Sequence, residues 1–595
     1  MENEISTKKR KRMEKQNRRK HPIISKEIIL IWEELRQKNV KTDRKFELCD
    51  KIISVSKSVI ADLVQQKSTA RVFESVIEFG VDEHRWTIFE IIKKDILLLC
   101  TGAYSYFVVK YMLKFGTKDQ RLAVFDLLTG HIVDLIQHAY ASKVVEAAYN
   151  EFANSKQRSH MIQEFYGKTF ALFNDGKEIK HLSDFTSKSN FDMTILNNIH
   201  KVILPIIRKQ QIDLTLVQHI LFEYVNVLIK PIRENAELAK PYESLLNEII
   251  ELINEQLLKL CNTREGTKVA ITLFHECSIK LRKKIIQSLK EVIVATCQHT
   301  DAYLFVLTVL DQTDDTKMLN KYVTKPILEN LDVISNHING RKIISFIVNH
   351  RDKNFLSSYV LDILKQGDGN RVSKKDSVIR AKEILEFATK PLLQWLNTNI
   401  CDCLHFSSKI LLVHSIMTKC LSYDDESKTI YNNLMKSIVL YANEPLIKSE
   451  SELKRKLKTE TKAVVKKKIK MFTGKFQKAD NEMEVDEVPE ETGTIIEGHL
   501  LESFTGSLIG KSLCNLEKDG KIEGFSDLCI EKFSPENLIS FINSNRSAFF
   551  LVSLFEIGKE TVQNFLKQLF QSSQEEMSKS DLAGVKILYK HLFLE

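Results

Sequence analysis

Glycine and proline are scarce in this sequence. There are 19 and 9 of them in 595 residues, where average usage would give roughly 40 and 30. Tight turns and hairpins draw on both residue types, so their shortage excludes a fold of many short strands and favours helices joined by short loops. Also missing is any apolar run of the ~18–20 residues that a membrane span needs. The N-terminus is basic, with no apolar stretch followed by a cleavage site, so no secretory leader is expected. The ten cysteines are scattered singly and read as reduced intracellular thiols. Cys401, Cys403 and His405 would offer three zinc ligands, but no second cluster stands at finger spacing, and no metal is expected. Catalytic signatures are absent as well: no GxSxG, no HExxH, and in Gly367-Asp368-Gly369-Asn370 no Gly-Lys-Ser/Thr ending for a phosphate loop. Neither an enzyme nor a cofactor is expected.

Charge of one sign is present but confined. The net charge is +9, and two basic segments and one acidic segment account for all of it. Residues 1–21 carry nine Lys/Arg against three Glu, in the clusters Lys8, Lys9, Arg10, Lys11, Arg12 and Arg18, Arg19, Lys20, which resemble a basic targeting signal. Residues 454–479 carry eleven Lys/Arg against Glu460. The run DNEMEVDEVPEE at 480–491 contributes seven negative charges. What remains is neutral, so any binding face on the body of the molecule must be a local patch. Residues 447–497, with these charge runs and Pro489, read as a linker that is either merely solvated or an RNA-contacting or targeting segment.

The rest is repetitive. Ala70-Arg71-Val72-Phe73, Tyr106-Phe107-Val108-Val109 and Ser142-Lys143-Val144-Val145 align without gaps at a period of 36. Ile77, Leu113 and Tyr149 keep that register, as do Gly80 with Gly116, Arg85 with Arg121, and Phe89 with Phe125. Each unit reads as two helices with a glycine turn, where a left-handed cap would favour glycine. In HRWTIFEIIKKDILLLC, Trp86, Phe89, Ile92 and Ile96 should form one buried helical stripe. Weaker copies begin at Gln218, Thr267, Leu304 and Arg341, an extra unit fits near 166–173, and fainter ones start at Ser408, Ser507, Ala548 and Val585. Stacked two-helix repeats can lengthen along one axis without enlarging their core.

A 36-residue two-helix unit of this pattern resembles the Pumilio-homology (Puf) repeat. The string Gly367-Asp368-Gly369-Asn370-Arg371-Val372-Ser373-Lys374-Lys375-Asp376 resembles the junction before the CPL domain in the Penguin-like nucleolar branch of that family. Ile31-Trp32-Glu33-Glu34-Leu35-Arg36, Ile338-Asn339-Gly340-Arg341-Lys342 and Ser544-Asn545-Arg546-Ser547-Ala548 are similar to that branch too. The resemblance implies an all-α solenoid of Puf-type repeats in two arms, a nuclear and nucleolar location, and a role in maturing large-subunit ribosomal RNA. The expected layout is a basic disordered tail over 1–27, a repeat arm over 28–376, and a CPL/Puf-like arm over 377–595 interrupted by the linker.

In Puf repeats the first and fifth residues of a five-residue stretch meet a base edge, and the second stacks between bases. Here those edge pairs are Ala70/Glu74, Tyr106/Lys110, Ser142/Glu146, Gln218/Phe222, Thr267/Ile271, Leu304/Thr308 and Arg341/Ser345. Only Ser142/Glu146 has a familiar donor–acceptor combination, one suited to guanine. Cations recur at the second position, as Arg71, Lys143, Lys268, Lys342 and Lys409, with His219 at the same place. Phe107 and Phe305 are either stacking surfaces or core. A row of cations tracks phosphates and positions a strand without reading it. The candidate RNA contacts are therefore Arg71, Tyr106, Phe107, Lys110, Ser142, Lys143, Glu146, His219, Lys268, Phe305, Arg341, Lys342 and Lys409. The expected partners are RNA (ribosomal RNA precursor foremost, then mRNA or DNA without strict sequence preference) and pre-ribosomal proteins, for a monomer away from membranes. The alternatives are a HEAT-like protein-binding adaptor and a sequence-specific Puf repressor of translation.

Overall fold

A computed structural model describes residues 20–167, 181–185, 192–234, 239–421, 424–443 and 499–594. The basic residues up to Arg19, residues 168–173 and the 447–497 linker lie outside the described residues. The chain divides into two compact units, Met1–Leu273 and Phe274–Glu595. Residues 367–376 lie within the second.

The 36-residue period becomes helix packing. The Lys67–Phe79 helix buries Thr69, Ala70, Val72, Phe73, Val76 and Ile77. The Ser105–Phe115 helix buries Ser105, Tyr106, Val108, Val109, Met112 and Leu113, each 36 positions on. The Ala141–Ala147 helix, continued by a wider turn to Phe152, buries Ala141, Ser142, Val144, Val145, Ala148 and Tyr149, again 36 on. One stripe at helical spacing thus recurs three times, and each large apolar side chain in it contributes ~1.5–3 kcal/mol by leaving water. These spine helices pack on one another in sequence order. In the second unit the helices Tyr303–Gln312, Ile338–Val348, Ser407–Lys419, Phe504–Lys518, Asn545–Phe555 and Ala583–Phe593 form a corresponding succession. The faint repeats beginning near 408, 507, 548 and 585 are therefore spine helices.

The residue before many recognition stretches is small because backbone lies against it, although Val217 and Tyr303 stand there before Gln218 and Leu304. Thr69 and Ser105 donate their hydroxyls to the carbonyls of Leu63 and Leu99, at 2.5 and 2.7 Å, and Ser547 does the same to Phe541 at 2.7 Å. Where the residue is glycine, a Cβ would meet the carbonyl oxygen six residues back: 2.1 Å from Leu260 at Gly266, 2.0 Å from Ile334 at Gly340, and 2.1 Å from Leu500 at Gly506. Either the carbonyl is bonded or space is left for it.

Several expectations need correction. Gly80 and Gly116 do not cap in the left-handed region; their φ values are −74° and −63°. Glycine fits there because a Cβ would lie 2.5 Å from the Val76 oxygen and 2.3 Å from that of Met112. Trp86 is 46% exposed rather than part of a buried stripe, and HRWTIFEIIKKDILLLC is two helices, Asp82–Ile92 and Ile96–Thr101, separated by a tight turn at Lys93–Asp95. The first described helix begins at Pro22, inside the expected 1–27 tail, because proline at the first turn has no N–H to satisfy and a φ already set for a helix.

The 367–376 string is a polar lock. The Asn370 carboxamide oxygen accepts from the N–H groups of Val372 and Ser373 at 2.9 and 2.8 Å, while its nitrogen donates to Gln312 Oε1 at 2.7 Å and the Gly367 carbonyl at 2.9 Å. Buried Arg282 reaches the same loop through Ser373 Oγ at 2.8 Å and Asn370 Oδ1 at 3.2 Å. Arg351 joins Asp368 to buried Asp311 (Nη2–Oδ2, 2.7 Å), which His350 also meets at 2.6 Å. Burial alone would raise the Asp311 carboxyl, but the bonds and charges of His350 and Arg351 outweigh it and hold the group below its ordinary value. Asp376 then caps the Ser377–His405 helix by accepting from Val378 N–H at 2.8 Å.

Candidate nucleic-acid interface

The spine helices carry the second-position cations, and in four repeats the ammonium sits over an aromatic ring. In the first unit, Lys143 Nζ lies 5.6 Å from the Tyr106 ring centroid and Lys268 Nζ lies 5.3 Å from that of Phe222. In the second, Lys342 Nζ is 4.8 Å from Tyr303 and Lys409 Nζ is 5.5 Å from Phe406. Arg71 and Lys143 are exposed, and Lys268 and Lys342 half-buried. Each such contact is worth ~0.5–1 kcal/mol at an exposed site, and it restrains the side chain without neutralising its charge.

The other candidates are placed less favourably for contact. Tyr106 is only 6% exposed; the Phe107 ring is tilted against it with centroids 4.0 Å apart, and Tyr140 stacks on it at 5.7 Å. Lys110 is half-buried. Ser142 is buried, its hydroxyl directed to the Ala139 carbonyl at 3.4 Å. Glu146 Oε1 accepts from the Thr215 N–H and from Asn150 Nδ2, both at 2.8 Å, so this carboxylate holds the start of the Thr215–Glu234 helix. The one familiar base-edge pair is therefore engaged within the protein. His219 lies 3.6 Å from buried Glu223 and edge-on to Tyr149.

Phe305 is core: it is fully buried and edge-on to Phe274 at 5.6 Å. Arg341 is buried and donates to the Ser335 carbonyl at 3.1 Å. Lys409 is buried with its Nζ 2.6 Å from Asn336 Oδ1, and burial lowers its pKa. These three belong to packing rather than to an open face. Cys401 is exposed while Cys403 is buried, His405 Nδ1 bonds the Cys401 carbonyl at 2.6 Å, and among the described residues no group of three His, Cys, Asp or Glu could hold a metal ion. No described helix is long and apolar enough to cross a membrane.

The structure adds residues that the five-residue stretches leave out. Tyr104 and Tyr140, 36 positions apart, are 40% and 37% exposed at the starts of their spine helices. Lys67 Nζ lies 5.9 Å from the Tyr104 ring. In the second unit, exposed Phe504 has the Arg546 guanidinium 5.8 Å from its centroid, and Lys511 Nζ is 4.8 Å from Phe549. Burial and the Arg546 charge lower the Lys511 pKa.

With this geometry in place, similarity to known proteins becomes informative. A family model described as the CPL (NUC119) domain matches residues 336–481. Pumilio homolog 3 of Homo sapiens is 25% identical over 598 residues, spanning 98% of this chain and 82% of that one. The chain is related to the Pumilio-homology proteins and carries a CPL domain. Pumilio homology domain family member 6 of Schizosaccharomyces pombe is 26% identical over 595 residues, covering 98% of this chain and 83% of that protein. Among solved structures, human Puf-A aligns with a TM-score of 0.75 and 24% identity, over 96% of this chain and 99% of that one. That agreement establishes the Puf-A-like helical-repeat fold, and the CPL match takes in the Ile338–Val348, Ser377–His405 and Ser407–Lys419 helices.

Proposed function

We propose that this Pumilio-homology chain is a non-enzymatic RNA-binding scaffold that holds its ligand by phosphate charge and shape, with little sequence selectivity. One observation carries the reading: cations recur at one repeat position, and Lys143, Lys268 and Lys342 among them rest on aromatic rings, while most residues that would read base edges are apolar, buried or bonded within the protein. Phosphate contacts position a strand, and specificity needs base-edge contacts. Human Puf-A, which shares the fold, has been crystallised in complex with DNA, a precedent for nucleic acid on such a framework.

The finer reading is that the ligand is ribosomal RNA precursor, met in the nucleolus together with pre-ribosomal proteins during large-subunit assembly. It rests on the resemblance of the 367–376 string and its companion segments to the nucleolar branch of the family. Crosslinking the protein to RNA in cells and sequencing the attached RNA tests it. Enrichment of large-subunit precursor supports the reading. Enrichment of one short motif across many mRNAs would indicate a sequence-reading repressor, and no crosslinked RNA would indicate a protein-binding adaptor.

A further inference from the structure

The packed helices Phe504–Lys518 and Asn545–Phe555 in the second unit exchange cations over rings. Lys511 Nζ of the first lies 4.8 Å from the Phe549 centroid on the second, and the Arg546 guanidinium of the second lies 5.8 Å from the centroid of exposed Phe504 on the first. The two cations are close enough for the Arg546 charge to add to burial in lowering the Lys511 pKa. Nearby ion pairs join Lys518 to Glu556 at 3.3 Å, and Lys559 to Glu517 and Asp527 at 2.7 and 2.8 Å. Among the described residues, neither Lys511 nor Arg546 has a carboxylate partner. Arg546 donates to the Glu502 carbonyl at 3.3 Å, while the Glu502 carboxylate accepts from the His499 N–H at 3.4 Å. The pattern also departs from the other repeats. Lys143, Lys268 and Lys342 hold the second position of their stretches, whereas here Phe549 takes that position and Lys511 the fifth of the stretch before it.

We propose that Lys511 and Arg546 together clamp a terminal phosphate of RNA, a phosphomonoester, so that the second unit prefers strands with a phosphorylated end. This rests on the nucleic-acid reading above and adds a preference that the row of single cations does not supply. Like charges held side by side disfavour each other, and an anion between them removes the penalty. An internal phosphodiester carries one negative charge, which a single cation such as Arg71 or Lys143 offsets. A phosphomonoester carries about −1.5 to −2 near neutral pH and three strong acceptor oxygens, so it matches two adjacent cations. The planar guanidinium of Arg546 suits two of those oxygens, and the Lys511 ammonium meets the remainder as a point charge. The Phe549 and Phe504 rings restrain both side chains without neutralising them, so the pair is in place before the ligand arrives.

The test uses the full chain and three internally labelled oligouridylates of equal length, bearing a 5′-phosphate, a 3′-phosphate, or hydroxyls at both ends. The wild type should bind at least one phosphorylated strand about tenfold tighter than the hydroxyl strand, the effect of one charge-assisted hydrogen bond. Which strand gains reports the end that is held. Lys511→Ala/Arg546→Ala should abolish the preference, and Lys511→Arg should keep it. Arg71→Ala/Lys143→Ala should weaken all three strands alike and leave the preference intact. Equal wild-type affinity for the three strands overturns the clamp while the charge reading stands, and so does a preference that survives in Lys511→Ala/Arg546→Ala. If the wild type binds none of the strands, both fall.

Discussion

Glu74 lies one helical turn beyond Arg71 on the Lys67–Phe79 helix, at the position where a Puf repeat would read a base. Burial raises its pKa to about 7; the Arg71 charge opposes the rise and Glu78 adds to it. The fold thus binds a proton that the unfolded chain releases near its ordinary value of 4.5. Stability contributed here is full below that value and declines as pH rises toward 7. A phosphate near Arg71 would favour the protonated form further, so RNA affinity should increase as pH falls from 8 to 6. The increase approaches about tenfold for each further unit that phosphate raises this pKa. Glu74→Gln should bind at pH 8 about as the wild type does at pH 6, with a flatter profile. A wild-type profile that Glu74→Gln leaves unaltered would place the titrating group elsewhere. At this scale the sequence was only partly readable. Spacing put Arg71, Lys143, Lys268 and Lys342 at one register position, and each lies on a helix, the first two exposed and the last two half-buried. The same spacing proposed Phe305, Arg341 and Lys409, but periodicity cannot say that Phe274, the Ser335 carbonyl and Asn336 cover or bind them. Tyr104 and Tyr140 show the converse: their 36-residue separation was in plain view, yet a window opening at Tyr106 and Ser142 passed over both.

The recurring element is a short turn or helix delivering its chain to a spine helix through a small residue. Gly340 is the tightest case, with a built Cβ 2.0 Å from the Ile334 oxygen and 2.7 Å from the Ile334 Cγ2. Neither the carbonyl nor its helix can yield without disturbing the packing above it. Gly340→Ala should therefore cost on the order of 1–3 kcal/mol, the usual penalty for overfilling a close-packed site. It should appear as a lower thermal midpoint with helix content retained in the folded state. A midpoint equal to wild type would show that the contact relaxes freely. Helices and their order were legible because apolar spacing repeats so faithfully that six buried positions of the Lys67–Phe79 helix reappear 36 residues later. The break at Lys93–Asp95 was not, since Ile92 and Ile96 keep helical spacing across it. The reason for Gly80 and Gly116 was also misjudged, because helix-end glycines suggest positive φ, while here space beside a carbonyl decides.

For the whole molecule, the distribution of charge matters more than its sum. The excess cations lie in residues 1–21 and 454–479, so tethering or targeting and strand placement can be separated by mutation. Deleting both segments is expected to weaken the proposed nucleolar accumulation in fluorescence imaging, while unchanged accumulation would remove them as targeting signals. The central claim is that binding is electrostatic and largely blind to sequence. It is tested most directly by measuring affinity for two unrelated RNAs of equal length across a salt series, for the wild type and the Arg71/Lys143/Lys268/Lys342→Ala variant. The account predicts similar affinities for the two RNAs. It also predicts a slope of log K against log salt that flattens by up to about 2.8, since each single-strand phosphate contact contributes about 0.7. A preference of about a hundredfold for one RNA that persists at high salt, of the kind set by misread bases costing ~1–3 kcal/mol each, would contradict it, as would a variant whose affinity and slope match the wild type.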